Sequence, residues 1–282
     1  MSNSMNKKMP IFKVLVLVVC VFLAILSLFP FVVMLVNATR STSQIQQHAV
    51  SLVPGTNFFK NLRILTGKSF NPAKGFMNSL IISTGVTVLG LYFSTLTAYA
   101  LVMYEWKAKN VFFSFIMAVM MIPAAVTVIG FFQMVYKVRM TNHLFVLILP
   151  AIASPSLVFF MRQYMIPSVS VSLVESARMD GSPEFLTYNA IVLPIMKPAI
   201  ATQAIFTFVT SWNDLFRPSV ILTDQAKATL PIMVSLLNGD IYKKEHGAIY
   251  LGLSITALPL IVVYFLLAKY IVAGVALGSV KG

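Results

Sequence analysis

The sequence predicts an all-α membrane protein of about six transmembrane helices. Of 282 residues, 58% are hydrophobic and only 10% are charged. The apolar residues fall in long runs, and most of the charged ones lie between those runs. Soluble domains carry about 25% charged residues, far more than this chain has to cover a water-facing surface. A helix needs about 20 apolar residues to cross the hydrocarbon core, and the runs match that length.

The first run, residues 14–36, follows Lys7, Lys8 and Lys13. It is too long for a signal-peptide core and no A-x-A site follows it, so an uncleaved first helix is expected. Residues 37–75 form a polar stretch punctuated by Pro54, Gly55 and Pro72. Five further spans are expected within 76–272, at Phe76 to Tyr104, Val111 to Val135, Leu144 to Phe160, Ile191 to Trp212 and Ala248 to Val272. Pro123, Pro150 and Pro155 predict kinks in the third and fourth spans. Asn213, Asp214, Arg217 and Pro218 interrupt the fifth, which therefore stops near Trp212 or unwinds where a cavity accepts those groups. In the second span Ser79, Ser83, Thr87, Gly90 and Ser94 share one face, where either a second helix packs closely or a pore is lined.

A formal charge of +13 raises nucleic acid as a partner, but the basic residues sit in short loops with no basic, aromatic-interleaved stripe. Attraction to anionic lipid of the bilayer is the simpler reading, and no nucleic acid partner is expected. The single cysteine, Cys20, excludes an intrachain disulfide, and His48, His143 and His246 lack zinc-site spacing, so neither metal nor cofactor is expected. No phosphate-cradling G-x-x-x-x-G-K-[ST] run and no protease arrangement is present, so the chain reads as a non-enzyme. With a cytoplasmic N-terminus, ten Lys and Arg fall inside and eleven outside, so loop charge leaves the topology undecided.

Between the fourth and fifth spans lies the loop 162–198. Leu173 to Met179 is helix-compatible, Gly181 suits the left-handed position beyond a helix end, and Ser182, Pro183 and Glu184 read as N-cap, first position and acidic first turn of a second helix. Glu175-Ser176-Ala177, then Asp180-Gly181, then Leu193-Pro194 resemble the EAA loop of ATP-binding-cassette importer permeases. Ser176 stands for the first alanine, Ser170 for a usual proline, and Val174 where an acid is common. From Asn78 onward the chain is similar to the carbohydrate branch and its maltose-transporter type of shorter permease. Asn78-Ser79, Ala98-Tyr99-Ala100, Ile122-Pro123, Lys197-Pro198-Ala199, Trp212-Asn213-Asp214 and Thr229-Leu230-Pro231 carry that similarity.

The resemblance implies a type I importer permease architecture in a bacterial cytoplasmic membrane, with residues 1–13 and the tail 273–282 in the cytoplasm and 37–75 outside. It implies a second permease subunit, two ATP-binding subunits and an extracytoplasmic sugar-binding protein as partners. Glu175, Ser176, Ala177, Asp180 and Gly181 would couple the permease to the ATPase, with Ser279 and Lys281 as further contacts. The cargo it implies is a carbohydrate, with an oligosaccharide favoured. Trp212, Asn213 and Asp214 read in two ways: an aromatic face and planar polar groups for a sugar, or a gate or interface structure at a helix end. The alternative class, an ion-coupled secondary transporter, requires acids within the spans, and nearly all eight acids lie elsewhere.

Overall fold

A computed structural model describes residues 11–67, 71–238 and 244–279. In chain order the α-helices are α1 (Ile11–Ala38), α2 (Thr42–Gln47), α3 (Phe58–Gly67), α4 (Pro72–Met103), α5 (Lys109–Met120), α6 (Ala124–Lys137), α7 (Phe145–Ile148), α8 (Pro155–Ser168), α9 (Val171–Met179), α10 (Glu184–Thr187), α11 (Leu193–Ile195), α12 (Lys197–Trp212), α13 (Phe216–Ile221), α14 (Leu230–Asn238) and α15 (His246–Ser279). The described residues are all-α. Two helices, α1 and α4, are individually long and apolar enough to cross a membrane, and two bent pairs raise the number to four. Six separate spans are thus more than length and apolarity alone deliver.

The reason is that several expected spans are broken. The third divides at Met121–Pro123 into α5 and α6, because Pro123 adopts extended ψ and caps α6 instead of kinking a continuous helix. The fourth passes through a 3-10 turn at Leu149–Ala153 and bends by 42° before α8, whose first residue is Pro155. The fifth bends by 77° between Glu184–Ile195 and Lys197–Trp212, with a π-helical turn at Tyr188–Val192.

The chain divides into two compact units. The first holds Met1–Lys68 and Leu237–Ile255. Its α1 is exposed on every side up to Val32, as expected of a helix sheathed by lipid. The stretch after it is built rather than loose. Arg40, 6% exposed, donates to Asn37 Oδ1 at 2.9 Å and to the carbonyls of His48 and Gln44 at 2.7 and 2.9 Å. Asn61 Nδ2 donates to the carbonyls of Ala38 and Arg40 at 2.8 and 2.9 Å. A Cβ on Gly247 would lie 2.4 Å from the Arg40 carbonyl, so only glycine admits this approach.

The second unit holds Ser69–Leu236 and Thr256–Gly282, with α4 packed against α8 and α12. Ser79, Ser83, Thr87 and Ser94 on α4 are buried, and a Cβ on Gly90 would meet Leu157 at 3.1 Å. That face is a packing seam, small enough for helices to approach closely. At the start of α4, Ser79 Oγ accepts from the Leu230 amide and Asn78 donates to the carbonyls of Ala226 and Ala228.

Candidate functional site

The loop after α8 folds as a knob. Helix α9 closes with paired reverse bonds, Ser182 N–H to the Ala177 carbonyl and Gly181 N–H to the Arg178 carbonyl, each 3.0 Å. This is the Schellman closure, which requires a left-handed residue, and Gly181 supplies φ +80. No atom lies within 4 Å of a Cβ built there, so backbone conformation and not space calls for glycine. The next helix begins one residue later than its sequence suggests. Pro183 is the extended cap, Glu184 is the first helical residue, and Ser182 Oγ instead accepts from Thr187 Oγ1 at 2.9 Å. Proline has the right φ for either place, and the closure of α9 fixes which one it takes.

Of the residues singled out in this loop, Glu175, Ser176, Asp180 and Gly181 are exposed on the knob while Ala177 turns inward. Ser176 Oγ donates to the Ser172 carbonyl at 2.9 Å, satisfying its hydroxyl within its own helix. Val174 is fully buried in a cluster with Met165, Val169, Tyr188, Val192 and Met196, a place where an acid would be desolvated without a partner. Sequence reasoning did not single out Met179, Phe185 and Leu186, which are 88%, 70% and 54% exposed. These exposed apolar side chains are available for contact with a partner.

The knob is fastened to the end of α4. Arg178 Nε donates to Glu184 Oε1 at 2.5 Å, Tyr99 Oη donates to Glu184 Oε2 at 2.7 Å, and the Arg178 guanidinium lies 4.8 Å from the Tyr104 ring centroid. Tyr188 Oη extends the contact by donating to the Tyr92 carbonyl at 3.0 Å. The hydrogen bond from Arg178 outweighs desolvation and holds the Glu184 carboxyl down at about 2, so it is charged at physiological pH. Nothing local announces this latch, because Tyr99 and Glu184 are 85 positions apart; the acid and aromatics were visible, their meeting was not.

Trp212, Asn213 and Asp214 lie at the end of α12, apart from these latch contacts. Trp212 is 1% exposed, stacks on Phe208, meets Phe76 edge-on, and donates its indole N–H to the Thr256 carbonyl at 3.0 Å. Asp214 pairs with Arg217 at 2.5 Å, and Asn213 is exposed. Beside them opens a cavity of about 590 Å³, lined along α12 by Gln203, Phe206, Thr207, Thr210 and Ser211 and completed by Arg217 and residues of the α7–α8 bend. Ser279 ends α15, and Lys281 lies outside the described residues. Among the described residues no three His, Cys, Asp or Glu side chains form a metal-binding group.

Residues 87–277 match the family described as binding-protein-dependent transport system inner membrane component. The arabinooligosaccharides transport system permease protein AraQ of Halalkalibacterium halodurans is 31% identical over 98% of this chain and 99% of its own. The lactose transport system permease protein LacG of Rhizobium radiobacter is 30% identical over 92% of each chain. In fold, the chain is similar to a chain of a bacterial ABC transporter involved in the import of the acidic polysaccharide alginate, with TM-score 0.80, 24% identity, and coverage of 93% and 96%. A family match over well more than half the chain, joined to a relative similar from end to end, makes this membrane-embedded protein a member of the binding-protein-dependent transport system inner membrane components.

Proposed function

We propose that this chain is one of two permease subunits in an ATP-binding-cassette importer for a carbohydrate, of the maltose-transporter type. The observation that carries the reading is the knob: a rigidly closed helix with apolar side chains outward and its base latched to α4. Such a body moves as one piece when a partner grips it. Glu175, Asp180 and Gly181, with Met179 and Phe185 around them, form the surface that a nucleotide-binding subunit grips, and Ser176 and Ala177 support it. Ser279 and Lys281 belong to the tail that reaches the same partners.

On this reading six spans cross the membrane: α1, α4, α5 with α6, the α7–α8 pair, α12, and α15. The contacts of α4 support the direction, since one end meets the coupling knob and the other meets the 226–230 segment assigned to the outside. Residues 37–75 and 213–247 then face the sugar-binding protein. The buried indole of Trp212 and the paired Asp214 suit a gate or interface structure, and the adjoining cavity suits the solute path. The named cargoes of AraQ and LacG favour an oligosaccharide.

The test is purification of the chain from native membranes, with an ATPase assay in the presence of the co-purified binding protein and candidate sugars. Two ATPase subunits and a second permease should accompany it, and a sugar should stimulate hydrolysis. A chain that purifies alone and moves solute with an ion gradient sinks the proposal.

A further inference from the structure

The cavity beside α12 has a charge arrangement that a solute path as such does not require. We infer that it is a contact site for an uncharged carbohydrate, and that Asp214 makes it so by cancelling the charge of Arg217. The inference rests on the permease reading above.

Arg217 is the one charged side chain in the cavity lining among the described residues. Its Nε reaches Asp214 Oδ2 at 2.5 Å, and its amide donates to Asp214 Oδ1 at 3.3 Å. The lining therefore carries a cation already matched by an anion one turn away. An anionic solute meeting Arg217 would have to compete with a carboxylate that is tethered in the same turn and costs no association entropy. Asp214, once unmatched, would then repel that solute.

The remaining chemistry is that of a polyol site. Gln203, Thr207, Thr210 and Ser211 fall on one side of α12, at helical spacings of three, four and eight. None of these four side chains makes a hydrogen bond within the described chain, and Gln203 and Thr207 are half-buried where lipid would leave them unsatisfied. Amide and hydroxyl groups both donate and accept, as sugar hydroxyls require. Phe160 and Phe206, both exposed in the same lining, offer apolar faces to the C–H surface of a sugar ring. Few convergent polar groups in a concave, partly aromatic wall is the usual composition of a small-molecule site.

The experiment uses the assembled importer in vesicles, with Ala153→Cys as a thiol reporter in a Cys20→Ala background. Ala153 lines the cavity, and Cys20 is exposed on α1. Arabinotriose or lactose should slow labelling of the reporter at least threefold, and an alginate trisaccharide should not. Adding Asp214→Asn should raise the rate of an anionic thiosulfonate relative to a cationic one and let the alginate trisaccharide protect. Both gains should vanish when Arg217→Gln is added, which separates an unmasked cation from a misfolded loop. Failure of both neutral sugars to protect, equal protection by the anionic one with Asp214 in place, or an unchanged reagent ratio overturns the site. Uptake of either neutral sugar without protection removes the site and leaves the permease reading standing; absence of any co-purifying ATPase removes the reading beneath it.

Discussion

Two arginines organise two different kinds of joint. Arg40 is buried and is satisfied by neutral acceptors alone, one amide and two carbonyls held by α1, α2 and the turn after them. Arg178 is part-exposed and pairs through Nε with Glu184, itself held by Tyr99, while its Nη2 is buried without a hydrogen-bond partner among the described residues. The first arrangement is buried and held by three bonds, as suits a fixed strut. The second joins two elements through charge and ring contacts that tolerate reorientation, which is what a moving joint needs. A buried cation with only neutral partners fixes local shape, and on the proposed reading the half-exposed pair serves transmission.

The largest effect should come from the knob. Gly181→Val places a β-branched residue at φ +80, costing about 1–2 kcal/mol in backbone strain. Because about 1.4 kcal/mol is tenfold in an equilibrium, ATP-driven uptake should fall roughly tenfold or more. Capture of sugar by the binding protein, measured separately, should be unchanged; unimpaired uptake would remove Gly181 from the mechanism.

Next, Arg40→Ala should leave Asn37 Oδ1 and the His48 carbonyl unmatched, while the Gln44 carbonyl keeps the His48 N–H, at a cost of about 1–3 kcal/mol. A thermal melt of the purified complex should shift downward while the ratio of sugar moved to ATP hydrolysed stays constant. A changed ratio with an unchanged melt would reverse the roles assigned to the two arginines.

Glu184→Gln should do the converse and more mildly, lowering that ratio about twofold with little change in the melt, since a part-exposed pair contributes roughly 1 kcal/mol or less. Tyr99→Phe should act in the same direction and more weakly, as it removes one hydrogen bond and leaves the ion pair.

The smallest effect is in pH. The folded value of the Glu184 carboxyl, about 2, lies below its unfolded value of about 4.3. Its stabilising contribution is therefore complete above the unfolded value and is lost as pH falls from there toward the folded one. The melting difference between wild type and Glu184→Gln should stay flat from roughly pH 5 to 8 and narrow only below that. A slope near neutrality would mean another group titrates in the latch.

What could be read from the chain divides along the same line as the two joints. The helix, glycine turn and second helix of the knob were legible because the Schellman closure and the proline that follows it are local chemistry. The cap shifted from Ser182 to Pro183 because sequence offered two adjacent caps and only the closure chooses. Both arginine networks escaped notice: Arg40 bonds mostly to carbonyls, which every residue carries, and Glu184 meets a tyrosine far away in sequence. At Pro123 a kink was legible but not a full break, and the bend at Met196 was hidden, since an apolar run has the same composition whether it is straight or folded back.

The bend at Met196 has a mechanical meaning. Met196 is fully buried, and Pro194 and Pro198 stand on either side of it. Proline narrows the backbone freedom on both sides, so the corner holds its angle like the elbow of a crank. Helix α12 has 16 residues, an arm of about 24 Å at roughly 1.5 Å per residue. A turn of about 5° at the elbow, small beside the roughly 15° of known subunit rotations, sweeps the far end by about 2 Å. On the proposed reading, a slight tilt of the knob would thereby become a displacement of most of an atom's diameter at Trp212, about the leverage a gate needs.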